Sequence, residues 1–504
     1  MKKTIVILMI ITLASKILGF SRELLLSYFY GASNISDAYL ISTTIPATIF
    51  AFIGVGISTS FIPMYNKISY ENGILNANKF TSNILNFLII FCIVIIILVL
   101  MFTNFFVSLF ASGFDQETML LAVMLTKISI LGIFFTTIVY IFNAYLQLKN
   151  NFLIPSLTGI PLNFVIMISI IASYYFELYY LAIGSVIAAF SQFIFLIPSI
   201  KKEGYKFSFH INLKDENTKK FIFLSLPVIV GVSINQINIL IDRTLASRLV
   251  TGGVSALVYA DRLMVFIQGI FVTSLITVYY PKISDLAAKK NWYELKSVII
   301  KTSKLTIIVL VPITCLVMIN SKEIISVLFG RGEFDVKAIH LTSQALFFYG
   351  VGILGIAIRE IFSKSFYAVQ DTRTPIINAG IAVLLNIILN MVLSKYLGVG
   401  GLALASSISA IISAILIYIS FKKKFGAFKN EKLPSFLLKI LFATIFLIIT
   451  LIISQNLFSI YLNEILTLIV SLTICLCVYT MMLLIFKIEE MQIILSYIKR
   501  RNKK

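Results

Sequence analysis

Long apolar runs separated by short polar breaks organise this chain. Ile84 to Met101, Leu305 to Val317 and Leu468 to Phe486 contain no charged residue. About 20 mainly apolar residues cross a bilayer as an α-helix. The pattern predicts fourteen spans, at 4–28, 36–62, 83–107, 119–147, 152–174, 178–199, 221–247, 253–280, 303–320, 339–366, 375–394, 398–421, 436–455 and 462–486. Several exceed the minimum length, so tilt or protrusion is expected. The expected fold class is therefore an all-α polytopic membrane protein with about fourteen transmembrane helices.

Composition excludes a soluble protein. Charged residues make up 13% of the chain and hydrophobic residues 59%, against about 25% charged in soluble domains. Lys2 and Lys3 precede an apolar stretch, as in a signal peptide, but it runs on through Arg22 with no small-residue cleavage site, so it reads as a retained first span. The net charge is +20. In a soluble chain that would suggest nucleic acid as a partner; here it follows the loops. Lys2, Lys3, Lys67, Lys79, Lys149, the loops Lys201–Lys220, Lys282–Lys304 and Lys422–Lys439, and the tail Lys499–Lys504 all fall on one side and hold most of the 42 Lys and Arg. Basic loops stay cytoplasmic, which places both termini in the cytoplasm.

Local patterns recur about 220 residues apart. Leu109-Phe110-Ala111-Ser112-Gly113-Phe114-Asp115 matches Leu328-Phe329-Gly330-Arg331-Gly332-Glu333-Phe334-Asp335. Phe61-Ile62-Pro63 with Lys67-Ile68-Ser69 matches Tyr279-Tyr280-Pro281-Lys282-Ile283-Ser284; Tyr145…Pro155…Asn163 matches Tyr367…Pro375…Asn386; Arg22…Gly31 matches Arg243…Gly252. The offset covers six spans, an even number, so the halves share one topology. Parallel repeats of this kind place substrate between two lobes that rock against each other. The expected organisation is an N-lobe at 1–200 (spans 1–6), a cytoplasmic linker at 201–220, a C-lobe at 221–421 (spans 7–12), and spans 13 and 14 with a basic tail at 422–504.

Charges inside spans are costly, about 2.5–3.5 kcal/mol each at the bilayer centre. Lys16, Arg22 and Glu23 lie in span 1, Asp37 opens span 2, Lys127 is in span 4, Asp242 and Arg243 are in span 7, Asp261 and Arg262 in span 8, and Arg359 and Glu360 in span 10. Structural ion pairing and a water-filled cavity are both open readings. Adjacent residues on a helix point about 100° apart, so each charge is expected to find its partner on another helix or in a cleft. Lys16 and Arg22 lie about 120° apart around their helix, at two depths of one cleft, and Arg262 would face it from the second lobe. Such a cationic interior suits an anion, with Arg matching phosphate as a planar fork and Lys acting as a point charge. Span 7 adds Ser233, Asn235, Gln236 and Asn238, which bond neighbouring helices or contact substrate or an ion. Gly19, Pro46, Gly54 and Gly56 interrupt the first two spans and are candidate hinges. Gln370-Asp371-Thr372-Arg373-Thr374-Pro375 reads as a helix start, with Thr374 as cap and Pro375 in the first helical position.

No cofactor is expected. Cys92, Cys315, Cys475 and Cys477 sit in apolar runs, His210 and His340 in or beside predicted loops, and no metal-ligand spacing is present. No phosphate-binding loop occurs in the sequence, so transport would draw on membrane potential, a Na⁺ or H⁺ gradient, or the substrate's own gradient.

Ser15-Lys16-Ile17-Leu18-Gly19-Phe20-Ser21-Arg22-Glu23, Gly31-Ala32 and Ser36-Asp37-Ala38 resemble the opening of MurJ-type lipid II flippases. So do Ser255 with Tyr259-Ala260-Asp261-Arg262-Leu263, Phe366-Tyr367-Ala368 with Gln370 to Pro375, and Gly398-Val399-Gly400-Gly401-Leu402-Ala403-Leu404-Ala405. The resemblance covers essentially the whole chain. It implies two six-helix lobes plus two C-terminal helices in the superfamily of MATE exporters, located in the bacterial cell membrane. It also implies movement of undecaprenyl-pyrophosphate-linked peptidoglycan precursor to the outer leaflet, a groove for the lipid tail, and other cell-wall synthesis proteins as possible partners. Lys16, Arg22 and Arg262 take the positions of the family's pyrophosphate-binding cations, and Asp37 and Ser255 those of further cavity residues. Glu23, Asp242, Arg243, Asp261, Gln236, Asn238 and Arg359 are candidates for gating or ion coupling.

The chain departs from the family in span 2. Phe50 and Ala51 stand where the family has an arginine pair, and Val55 where it has an acid. A flippase for another polyprenyl-linked glycan, of capsule, teichoic or O-antigen type, is therefore the alternative. A MATE-like drug exporter would want an acidic cavity. A non-transporting scaffold and a lipid-modifying enzyme are the remaining classes, and no catalytic constellation supports the last.

Overall fold

The computed structural model describes residues 2–209, 211–212, 214–426 and 433–491. His210, the tail Lys499–Lys504 and both chain ends, on which the orientation of the termini bears, lie outside the described residues, as does the side chain of Val55. Every regular element among the described residues is a helix. In order the helices are α1 (Lys2–Tyr30), α2 (Asn34–Gly56), a π-helical turn (Ile57–Phe61), α3 (Ile62–Asn72), α4 (Ile74–Met101), α5 (Thr103–Phe110), α6 (Gln116–Ser129), α7 (Gly132–Leu148), α8 (Leu153–Leu157) and α9 (Gly159–Tyr175). They continue as α10 (Tyr180–Lys202), α11 (Glu216–Leu249), α12 (Gly253–Ala288), α13 (Trp292–Ile319), α14 (Ser321–Phe329), α15 (Val336–Ala368), α16 (Arg373–Phe425), α17 (Leu433–Phe458) and α18 (Glu464–Ile485).

Ten helices among the described residues are long and apolar enough to cross a membrane, or eleven if the pair α6 and α7, bent by 43°, forms one broken span. The expected fourteen is not reached by this measure, for three reasons. α1 and α11, each with side chains outside the description, are not among the ten. The spans expected at 375–394 and 398–421 are counted together within α16, but two helices meet there at Gly398, whose φ of 55° and ψ of −133° are non-helical, where the expected boundary fell. Expected boundaries moved elsewhere too: the span placed at 83–107 crosses the break at Phe102 between α4 and α5.

Backbone polar groups must be satisfied within the membrane, and helices do this internally. What remains is a choice of faces. On α4, Ile90, Phe91, Ile93, Val94 and Ile97 are exposed, as suits a lipid-facing surface. Ile84, Leu85, Leu88 and Cys92 turn inward to a core shared with Ile138, Ile141 and Tyr145 of α7. Small residues allow close approach: a Cβ on Gly184 of α10 would lie 1.9 Å from the Ser169 hydroxyl of α9.

The chain divides into two compact units, Met1–Ala256 with Arg331–Ala338, and Leu257–Gly330 with Ile339–Lys504. The first contains α11, which packs along α2. In the second, α17 and α18 form a hairpin tied to its neighbours by polar contacts. The Tyr479 hydroxyl donates to the Ile308 carbonyl at 3.1 Å, Lys304 pairs with Glu490 at 3.3 Å, and the Gln455 amide reaches Asn320. The expected cap of α16 is corrected: Asp371, not Thr374, supplies it. Its carboxylate accepts from the Thr374 amide at 3.0 Å and the Thr374 hydroxyl at 2.9 Å.

Candidate functional site

In the first unit the charges of α1 come first. Arg22 Nη2 lies 2.6 Å from Glu23 Oε1, and Arg22 Nη1 donates to Asn163 Oδ1 of α9 at 3.4 Å. Asn163 is itself held by its Nδ2 on the Gly159 carbonyl at 2.8 Å. The expectation that sequence neighbours do not pair is overturned here. The long guanidinium arm covers the 100° between adjacent positions, which the backbone direction alone did not allow for. The Glu23 side chain is 4% exposed and that of Arg22 24%. Arg22 is thus oriented by an acid and an amide while part of its fork stays accessible. Lys16 is half-buried and makes no ion pair among the described residues. Asn163 was visible in the sequence only as a member of a repeated pattern; its role as the partner of Arg22 had no local signal.

Asp37 is buried. Its two carboxylate oxygens accept from the Gly252 amide at 2.9 Å and the Ser255 amide at 2.7 Å. These are the first free amides of α12, where a negative charge is favoured by both hydrogen bonding and the helix dipole. The Ser255 hydroxyl turns back onto the Gly252 carbonyl at 3.1 Å. The structure brings Asp37 and Ser255 together, with both Asp37 oxygens engaged by backbone.

On α11, Asn238 donates to Asp242 one turn on at 3.3 Å, and the Ser233 hydroxyl bonds the Ile229 carbonyl. Asn238 Oδ1 and Arg243 Nε are buried with no hydrogen-bond partner among the described residues. Gln236 is half-buried. These are polar atoms held where water or a ligand group would satisfy them.

The span-2 departure has a structural meaning. Phe50 is buried and meets the Tyr140 ring edge-on, with centroids 4.5 Å apart. Gly54 leaves room for it, since a Cβ there would come within 3.0 Å of the Phe50 ring. Where the resembled family has a cation, this chain has an aromatic packed into the core of its first unit. Gly54 serves that packing.

In the second unit Asp261 is half-buried and Arg262 exposed on α12. Arg359 and Glu360 of α15 line a cavity of about 600 Å³ against α12. Glu360 pairs with Lys364 at 3.7 Å, and Arg359 makes no ion pair among the described residues.

Comparison with known proteins fits this arrangement. A probable lipid II flippase MurJ of Buchnera aphidicola subsp. Baizongia pistaciae is 29% identical over 461 residues, 90% of each chain. A solved structure titled lipid II flippase MurJ in an inward closed conformation superposes with a TM-score of 0.83 at 28% identity, covering 95% of this chain and 98% of the other. An inward-facing multidrug resistance MATE transporter of the MOP superfamily shares the fold, with a TM-score of 0.66 at 14% identity over 83% of this chain and 98% of its own. The profile of the lipid II flippase MurJ family matches residues 26–487, and the chain, a bacterial-type multi-pass membrane transporter and not an enzyme, belongs to that family.

Proposed function

We propose that the chain translocates lipid II from the inner to the outer leaflet, with cations on α1 and α12 holding the pyrophosphate. Arg22 is the observation that carries this. A guanidinium inside a span would ordinarily reach for the interface. Here Glu23 and Asn163 hold it in place with part of its fork free. Lys16, half-buried on the same helix, adds a second positive charge, and the family resemblance assigns Arg262 of the second unit the same task. Family membership and the 90% mutual coverage with a probable MurJ support lipid II as the cargo. Both termini cytoplasmic is the orientation that the basic loops favour.

Asp37 has a different task in this reading. It caps α12 from α2 on the side opposite the basic loops and so closes the outer end while substrate loads. Drive comes from the membrane potential, a Na⁺ or H⁺ gradient, or the substrate's own gradient, since the sequence carries no nucleotide-binding loop.

One observation favours a second reading. Phe50, packed where the family has a cation, leaves fewer charges for the headgroup, which would suit another polyprenyl-diphosphate glycan. Complementation of a bacterium depleted of its own flippase tests both. The wild-type chain restores growth; Arg22→Ala and Arg262→Ala reach the membrane and do not. Normal growth with either alanine variant contradicts the pyrophosphate role. Absence of rescue by the well-expressed wild type selects the second reading.

A further inference from the structure

We propose that the cavity between α12 and α15 is a diphosphate-binding position of the second unit itself, built for the headgroup of a polyprenyl-diphosphate substrate from residues other than the α1 cations. This rests on the lipid-linked cargo proposed above and adds a second site to it. The cavity lies within the second unit and has a volume of about 600 Å³, in the range of small-molecule sites. Its polar lining is cationic overall. Arg359 contributes a guanidinium with no ion pair among the described residues, and Lys364 an ammonium only loosely held by Glu360 at 3.7 Å. The Lys364 ammonium also sits 6.0 Å from the Tyr280 ring centroid, which keeps it at the cavity wall rather than in open water.

Facing these charges, α12 presents Thr273, Thr277, Tyr280 and Gln268. Thr277 and Thr273 are one turn apart; the Thr277 hydroxyl gives its proton to the Thr273 carbonyl at 2.7 Å, so Thr273 and Tyr280 carry the lining hydroxyls that can donate to a ligand. A planar fork, a point charge and these two hydroxyls are a donor set that recognises phosphate oxygens. The remaining wall, Val272, Ile276 and Ile356, is apolar, as suits the first isoprene unit beyond the diphosphate. Pro281 lines the cavity and adjoins the basic segment Lys282–Lys304, whose positive field draws an anionic headgroup toward it.

Photocapture in the full-length protein tests this. Ile356 is replaced by p-benzoyl-phenylalanine, and the purified chain in lipid nanodiscs is irradiated with ³²P-labelled farnesyl diphosphate. Label is expected at position 356, displaced by unlabelled farnesyl diphosphate and not by farnesol. Arg359→Gln is expected to reduce capture about tenfold, as loss of one charge-assisted contact would. Lys364→Gln reduces it less, and Arg359→Lys retains most of it. Arg22→Ala retains capture while losing lipid II translocation, which separates the two sites. No capture, equal competition by farnesol, an unchanged signal in Arg359→Gln, or loss of capture in Arg22→Ala overturns the proposal. Capture at position 356 by a chain that does not translocate lipid II supports the diphosphate site and removes lipid II as its cargo.

Discussion

The segment 109–115 and its repeat 328–335 build matching corners on opposite halves of the sequence. Each ends a short helix, turns through a glycine and starts a long helix capped by aspartate. Asp115 accepts from the Thr118 amide at 2.8 Å, and Asp335 from the Ala338 amide at 2.7 Å. Each glycine lies against the end of a helix from the other half. A Cβ on Gly113 would stand 2.4 Å from Cα of Arg248 on α11, and one on Gly332 would stand 2.1 Å from the Tyr28 carbonyl oxygen of α1. Both contacts lie within the first compact unit, to which α11 and Arg331–Ala338 belong.

The likeness stops at the helices that follow. α2 is capped by its own serines, Ser33 and Ser36, in a capping box. α12 takes its cap from Asp37 of α2, more than two hundred residues away in sequence. Repetition thus sets the backbone, and one carboxylate breaks the symmetry to fasten α2 onto α12.

The largest expected effect is at the glycines. Gly332 has a φ of 64° as well as a backbone neighbour, whereas Gly113 has only the neighbour. Gly332→Ala is expected to lower the yield of folded protein most, with Gly113→Ala milder by about 1–2 kcal/mol, the cost of left-handed backbone. Fluorescence-detected size exclusion reads both, and equal losses would break the distinction between the corners.

Next comes Asp37. Asp37→Ala leaves two amides without their acceptor, at about 1–3 kcal/mol each when buried. It is expected to lower the melting temperature and to raise labelling of a cysteine at Ala32 by a membrane-impermeant reagent. Asp37→Asn keeps one acceptor and falls between. Unchanged labelling in Asp37→Ala would remove Asp37 from the outer closure.

A smaller effect separates the caps. Asp115→Ala and Asp335→Ala are each expected to cost about 1 kcal/mol, equally, if the corners are equivalent. The smallest concerns Asp371, outside the spans. Partial burial pushes its carboxyl up, but Lys424 and the Thr374 amide and hydroxyl together hold it below the ordinary carboxylate value. Its contribution is present above the unfolded carboxylate range and is lost as pH falls through the lowered folded value. The melting temperature of Asp371→Asn should therefore approach that of wild type as pH drops below about 4. A gap that widens with acid contradicts the pairing.

The helices were legible because each needs some 20 apolar residues and charge-poor sequence announces them. Gly398 was legible as a boundary, and the backbone leaves the helix there. The pairing of Arg22 with Glu23 was not, because it depends on side-chain reach and not on backbone direction. Nor was the bond between Asp37 and the Gly252 and Ser255 amides, since chain separation hides a contact set by tertiary folding. Phe50 showed in sequence as a missing charge, and only packing against Tyr140 gave it a positive role. The cavity at Arg359 brings together side chains of two helices, which no linear motif records.

Leaflet accessibility of lipid II, in a strain whose only flippase is this chain, tests the central claim most directly. With the wild type, newly made lipid II becomes accessible to an external lipid II-cleaving toxin; with Arg22→Ala it stays inaccessible at equal protein level. Equal accessibility with and without the Arg22 guanidinium would contradict the account.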